Sequence, residues 1–99
     1  MAKRSASKQT VHNARVNQRA KQLQRQGYHV KADLPGYPCP APIGKGKKRP
    51  DIEAAKGAKR KIIEVETPET LERDKEQHIT FRKSAAQKRN TSFEIEVAE

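Results

Sequence analysis

The sequence predicts an α/β domain built in the order helix, strand, strand, strand, helix, strand. Three observations carry that prediction. A first segment free of Pro and Gly has apolar residues at helical spacing, four short stretches show strand patterning, and a Thr67-Pro68 pair stands where a second helix would start. With 99 residues, 32% of them apolar and 34% charged, the chain has material for one small domain with a thin core.

Residues 1–8 are small, polar and basic and read as a flexible arm, leaving 9–99 as a single domain. The first helix runs from Ser7 or Thr10 to Gln26. Val16, Ala20 and Leu23 form its narrow apolar stripe, Arg15, Arg19, Lys21 and Arg25 cover much of the rest, and Gly27 stands as its stop. Residues 28–34 alternate Tyr28, Val30, Ala32 and Leu34 against His29, Lys31 and Asp33, the period of a half-buried strand. Residues 35–50 hold five of the six prolines and three of the five glycines, so they form a Pro/Gly-rich basic loop in place of a regular element. Two short strands follow at 51–55 and 61–67, joined through Gly57, which can take the positive φ a hairpin turn needs. Thr67 then caps a second helix, with Pro68 at its first position and Glu69 in its first turn, running to about Arg89. Residues 92–98 alternate Phe93, Ile95 and Val97 against Glu94 and Glu96 as a last strand.

Charge is divided unevenly. Residues 1–50 hold twelve Lys and Arg against the single acid Asp33, whereas residues 51–99 hold ten against eleven, so the whole surplus of +10 comes from the first half. A basic excess of this kind points to a polyanion, because lysines and arginines near phosphates release condensed counterions. Nucleic acid is the expected partner, gripped by Lys45, Lys47, Lys48 and Arg49 in the loop and by Arg15 and Arg19 on the first helix.

Other classes are excluded or weakened. Aromatics make up only 4% with no tryptophan, too few for a base-stacking sheet. Cys39 is the only cysteine, which rules out an internal disulfide and fits a reducing, cytoplasmic setting. No apolar run approaches the roughly 20 residues of a membrane span. Residues 44–48, Gly-Lys-Gly-Lys-Lys, lack the spacing of a nucleotide-binding phosphate loop, and the histidines at 12, 29 and 78 are too scattered to read as a zinc site.

Against this basic background stand three acids. Side chains at i and i+2 of a strand share a face, so Glu64 and Glu66 project together, and a hairpin through Gly57 brings Asp51 to the same end of the sheet. Adjacent carboxylates repel unless a cation lies between them, and Mg²⁺ takes oxygen ligands of this kind together with water and phosphate. The plainer alternative is a solvated strand face paired with Lys59, Lys61 or Lys75.

The element order, the Arg-Pro-Asp entry at residues 49–51 and the Ile-Ile-Glu-Val-Glu strand whose first acid lies 13 residues later together resemble the PD-(D/E)XK nuclease superfamily, the restriction endonuclease-like fold. The likeness is nearest to its small Holliday junction resolvase-like members. The resemblance spans about residues 10–98 and implies a minimal core, a four-stranded mixed sheet flanked by two helices. It implies that Asp51 and Glu64 bind Mg²⁺ or Mn²⁺, which polarises the scissile phosphate. The superfamily's lysine belongs two residues after the second acid, where this chain has Glu66. Two readings accommodate the departure. Some members carry the lysine on the following helix, where Lys75 falls on an inward stripe of Leu71, His78, Arg82 and Ala85; alternatively, Glu66 joins the metal shell. Gln77 lies well round from that stripe, and the first helix, lacking an acid, offers only Gln9, His12 or Asn13.

The expected function is therefore a small metal-dependent nuclease, DNA favoured over RNA, with catalytic Asp51, Glu64 and Lys75 and metal ligands Asp51, Glu64 and Glu66. A nuclease-fold module without catalysis and an unrelated basic RNA-binding protein are the alternatives. A second copy of the chain is left open as a partner, since a domain this small addresses two strands most directly as a dimer.

Overall fold

Helix α1 (Ala6–Arg25) buries Val16, Ala20 and Leu23, as its narrow stripe requires. It ends in paired C-terminal bonds, Tyr28 N–H to Leu23 O and Gly27 N–H to Gln24 O, with Gly27 at φ +92°. The computed structural model describes residues 6–44 and 47–98. Residues 1–5 of the expected arm, and Lys45 and Gly46 at the loop tip, lie outside that range, and the helix already includes residues 6–8.

Strands β1 (His29–Ala32), β2 (Ile52–Lys56), β3 (Lys59–Glu66) and β4 (Thr91–Val97) form one sheet in the order β1-β2-β3-β4. The first two pairings are antiparallel, and β3–β4 is parallel. The expected mixed sheet is thus present. Gly57 turns the β2–β3 hairpin at φ +58°, and the hairpin sets Ile52 opposite Ile63. One step further along, Asp51 arrives beside Glu64.

A helix covers each face. On one side α1 packs Val16, Ala20 and Leu23 against Val30, Ala32, Ile52, Ala54, Ile63 and Val65. On the other, Phe81 of helix α3 (Lys75–Ala86) closes over Ile62 and Phe93, with Ile43 of the loop as a fourth partner. Two amide–carbonyl bonds tie Ile43 to Lys48, so the basic turn is pinned to the α3 side of the sheet. Burying the Val, Leu, Ile and Phe side chains among them supplies about 1.5–3 kcal/mol each, which holds a domain this small together.

The second helical segment departs from expectation. Thr67 caps a single turn, α2 (Pro68–Leu71), with its amide bonded to the Thr70 hydroxyl; the chain then breaks through residues 72–74 and restarts at Lys75. The break rotates the inward stripe. His78, Phe81 and Ala85 are buried, whereas Leu71 and Ile79 are exposed and Arg82 lies over the Phe93 ring at 5.6 Å. The helix also stops at Ala86, short of Arg89.

Candidate metal centre at the end of the sheet

Ile62, Glu64 and Glu66 alternate onto the α3 face of β3, while Ile63 and Val65 serve the core beneath α1. Because α2 and α3 close over this end of β3, both carboxylates are buried, Glu64 at 3% exposure and Glu66 at 0%. Asp51 sits just before β2, where the strand bends. Its Oδ2 accepts the Val65 N–H at 2.8 Å, and its own N–H donates to Glu64 Oε1 at 2.9 Å. Two main-chain amides, those of Asp51 and Val65, thereby fasten Glu64 and Asp51 beside each other across the hairpin, the convergence expected from the sequence.

Side chains from both helices complete the site. His12 of α1 places Nε2 3.2 Å from Asp51 Oδ2, and Gln77 of α3 donates to Glu64 Oε2 at 3.0 Å. Glu66 is held by the Thr70 hydroxyl on one oxygen and by His78 Nε2, 3.1 Å away, on the other. Ligand atoms of Glu64, Glu66 and His78 all lie within 4.8 Å of one another, and the group could hold a metal ion. Asp51 Oδ1 makes no hydrogen bond among the described residues, and its side chain, 17% exposed, lies at the edge of the buried group.

Burial pushes the Glu64 carboxyl up from 4.5 to about 9, with the charges of Asp51 and Glu66 adding to the rise against the pull of the Asp51 amide and Gln77. Burial raises Glu66 as well; Thr70 and His78 pull it down and the nearby charge of Asp74 adds to the rise. A dication among buried acids gathered this closely would favour the ionised form that burial opposes. Among the described residues, no lysine or arginine hydrogen-bonds or ion-pairs with Asp51 or Glu64.

Several expected contributors lie elsewhere. Lys75 is the first residue of α3, its side chain 69% exposed and 4.0 Å from Glu72; the helix break turns it away, so it does not supply the missing positive charge. Gln77, expected well round from the inward stripe, instead reaches Glu64, for the same reason. Arg15 donates to Glu96 Oε2 at 3.2 Å, and Arg19 donates to both oxygens of Glu94 at 3.2 Å. The parallel register puts Glu94 and Glu96 beside Ile63 and Val65 on the α1 face, so β4 carboxylates neutralise the two arginines expected to grip phosphate. Lys47, Lys48 and Arg49 are exposed, as that role needs, and Lys45 is outside the described residues. His78, passed over as one of three scattered histidines, belongs to the centre. Its signal in the sequence is its place on the inward stripe of the second helix, which the structure keeps.

Fold and site together define a small α/β domain carrying a carboxylate–imidazole centre at one end of a mixed sheet. Compared with known proteins, the chain matches no family model, no curated protein and no solved structure. No helix among the described residues is long and apolar enough to cross a membrane.

Proposed function

We propose that this chain is a divalent-metal-dependent phosphodiesterase acting on nucleic acid, DNA ahead of RNA, with Asp51 and Glu64 holding Mg²⁺ or Mn²⁺. The observation that carries this reading is that the Asp51 amide bonds Glu64 and the Val65 amide bonds Asp51, which fastens both acids at the edge of a buried acidic site. The ion would supply polarisation of a phosphate oxygen and an acidified water. The protein's own residues do the positioning. His12 and the Val65 amide fix Asp51, Gln77 fixes Glu64, and the pinned turn of Lys47, Lys48 and Arg49 leads through buried Pro50 straight into Asp51, bringing cations to the same end of the sheet.

Cleavage of labelled linear, flapped and four-way branched DNA, with matching RNA, in Mg²⁺, Mn²⁺ or EDTA tests it. Asp51→Asn keeps an acceptor for the Val65 amide, so its fold is expected to survive by circular dichroism while metal-dependent cutting falls by about two orders of magnitude or more. Equal cutting by Asp51→Asn, or none by the wild type in any metal, sinks the nuclease reading.

A second reading, a nucleic-acid-binding module without catalysis, is favoured by Glu66 standing where a cation would stabilise a cleaving site. It requires binding that ignores Asp51→Asn. Under either reading, replacing Lys47, Lys48 and Arg49 with Gln should weaken binding and flatten the salt dependence of log K by about 0.9 for each phosphate no longer neutralised. An unchanged slope would remove this turn from the interface.

A further inference from the structure

An imidazole nitrogen, His78 Nε2, stands 3.1 Å from Glu66 and close to Glu64, and that donor changes which ion the buried part of the site prefers. We propose that Glu64, Glu66 and His78 form an inner metal position that takes a later transition dication such as Co²⁺ or Zn²⁺ in preference to Mg²⁺. It is distinct from the outward position at Asp51, and it stands or falls independently of any cleavage.

Geometry is the first support. Three donor atoms from β3 and α3 lie within 4.8 Å of one another. An ion with bonds of about 2.0–2.2 Å holds neighbouring ligands roughly 3–3.5 Å apart, so small side-chain rotations suffice to close the set.

Solvation is the second. Mg²⁺ dehydrates reluctantly and keeps several waters in an octahedral oxygen shell. Donors only 0–5% exposed leave no room for that shell, and one of them is a nitrogen, the donor type suited to zinc and its transition neighbours.

Charge is the third. A neutral imidazole, two carboxylates and a dication sum to zero, so an ion held by this set leaves no net charge buried.

Orientation is the fourth. Thr70 holds the far oxygen of Glu66, and Gln77 and the Asp51 amide hold the two oxygens of Glu64. These are supporting bonds of the kind that fix metal ligands in place. A structural Glu66–His78 ion pair would also account for their 3.1 Å contact, and it makes the opposite forecast for metal binding.

The test uses the full chain, stripped with chelator and titrated with Mg²⁺, Mn²⁺, Co²⁺ and Zn²⁺ by calorimetry, with Co²⁺ followed by its visible absorption. Co²⁺ is expected to bind more tightly than Mg²⁺, and His78→Gln to weaken Co²⁺ by about tenfold or more while shifting its absorption band. A readout without a substitution at His78 guards against misfolding of that variant. In a chain carrying His12→Gln and His29→Gln, Co²⁺ should still produce a paramagnetically shifted imidazole proton resonance, which can then come only from His78. Absence of that resonance, a Co²⁺ band indifferent to His78→Gln, or Mg²⁺ binding as tightly as Co²⁺ would overturn the proposal. A chain that binds Co²⁺ through His78 yet cuts nothing would leave this inference standing and remove the nuclease reading alone.

Discussion

Glu64 is the residue on which the physics of this protein concentrates. Its carboxyl keeps a proton to about pH 9 in the fold and loses it near 4.5 when the chain unfolds, so between those values unfolding releases a proton. Rising pH then favours unfolding, and the group's contribution, complete below about 4.5, erodes as pH climbs toward 9. Glu64→Gln keeps an acceptor for the Asp51 amide and has no proton to lose. In EDTA its Tm should exceed that of the wild type by a margin that grows from about pH 4.5 to about pH 8, as thermal melts across that range would show. A margin that shrinks with pH would contradict the burial of this side chain. A saturating dication should reverse the order at about pH 8 by stabilising the wild type alone, since a ligand that binds only the folded form adds stability.

At the scale of elements, the break between α2 and α3 decides what enters the centre. Thr70 turns toward Glu66 from the short helix, and the restarted helix delivers Gln77 and His78 while carrying Lys75 outward. Phe81 is what seats α3. It is fully buried against Ile62 and Ile43, and the turn bearing Lys47 and Lys48 is anchored through the same contact. Phe81→Ala should cost about 3–5 kcal/mol, a large part of the roughly 5–15 kcal/mol available to a domain. Urea unfolding would report the change as a lower midpoint, and metal affinity should weaken with it because α3 carries two of the residues at the centre. A midpoint within experimental error of the wild type would mean that α3 is held by something other than this side chain.

Over the whole molecule, a surplus of +10 does not spread evenly. Glu94 and Glu96 occupy Arg15 and Arg19 on the α1 face, while Lys47, Lys48 and Arg49 of the turn that leads into Asp51 stay exposed. The ion pairs act as a mask as much as a brace. Pairs this exposed contribute at most about 1 kcal/mol each, so the double change Glu94→Gln and Glu96→Gln should shift stability little. It should, however, release Arg15, Arg19 and Lys61 and make nucleic-acid binding tighter and more steeply salt-dependent. Filter binding or fluorescence anisotropy at several salt concentrations would decide, and an unchanged slope would show that the α1 face stays off the polyanion.

Local pattern was enough to place four strands, the first helix, its Gly27 stop and the Thr67 cap, because periods of 2 and 3.6 and the chemistry of caps act over a few residues. The pairing of Asp51 with Glu64 was also legible, since a hairpin turned at Gly57 admits few registers. Only the tertiary structure assigned the partners of those acids. Which face of α3 points inward depends on a helix break whose local sign is Asp74 at the N-cap of α3, so Lys75 gave way to Gln77 while His78 stayed inward. Arg15 and Arg19 met their acids through a parallel pairing with β4, across more than seventy residues of chain. The amino-acid order by itself determines what is local; which distant charges neutralise one another is settled when the sheet closes and the helices pack.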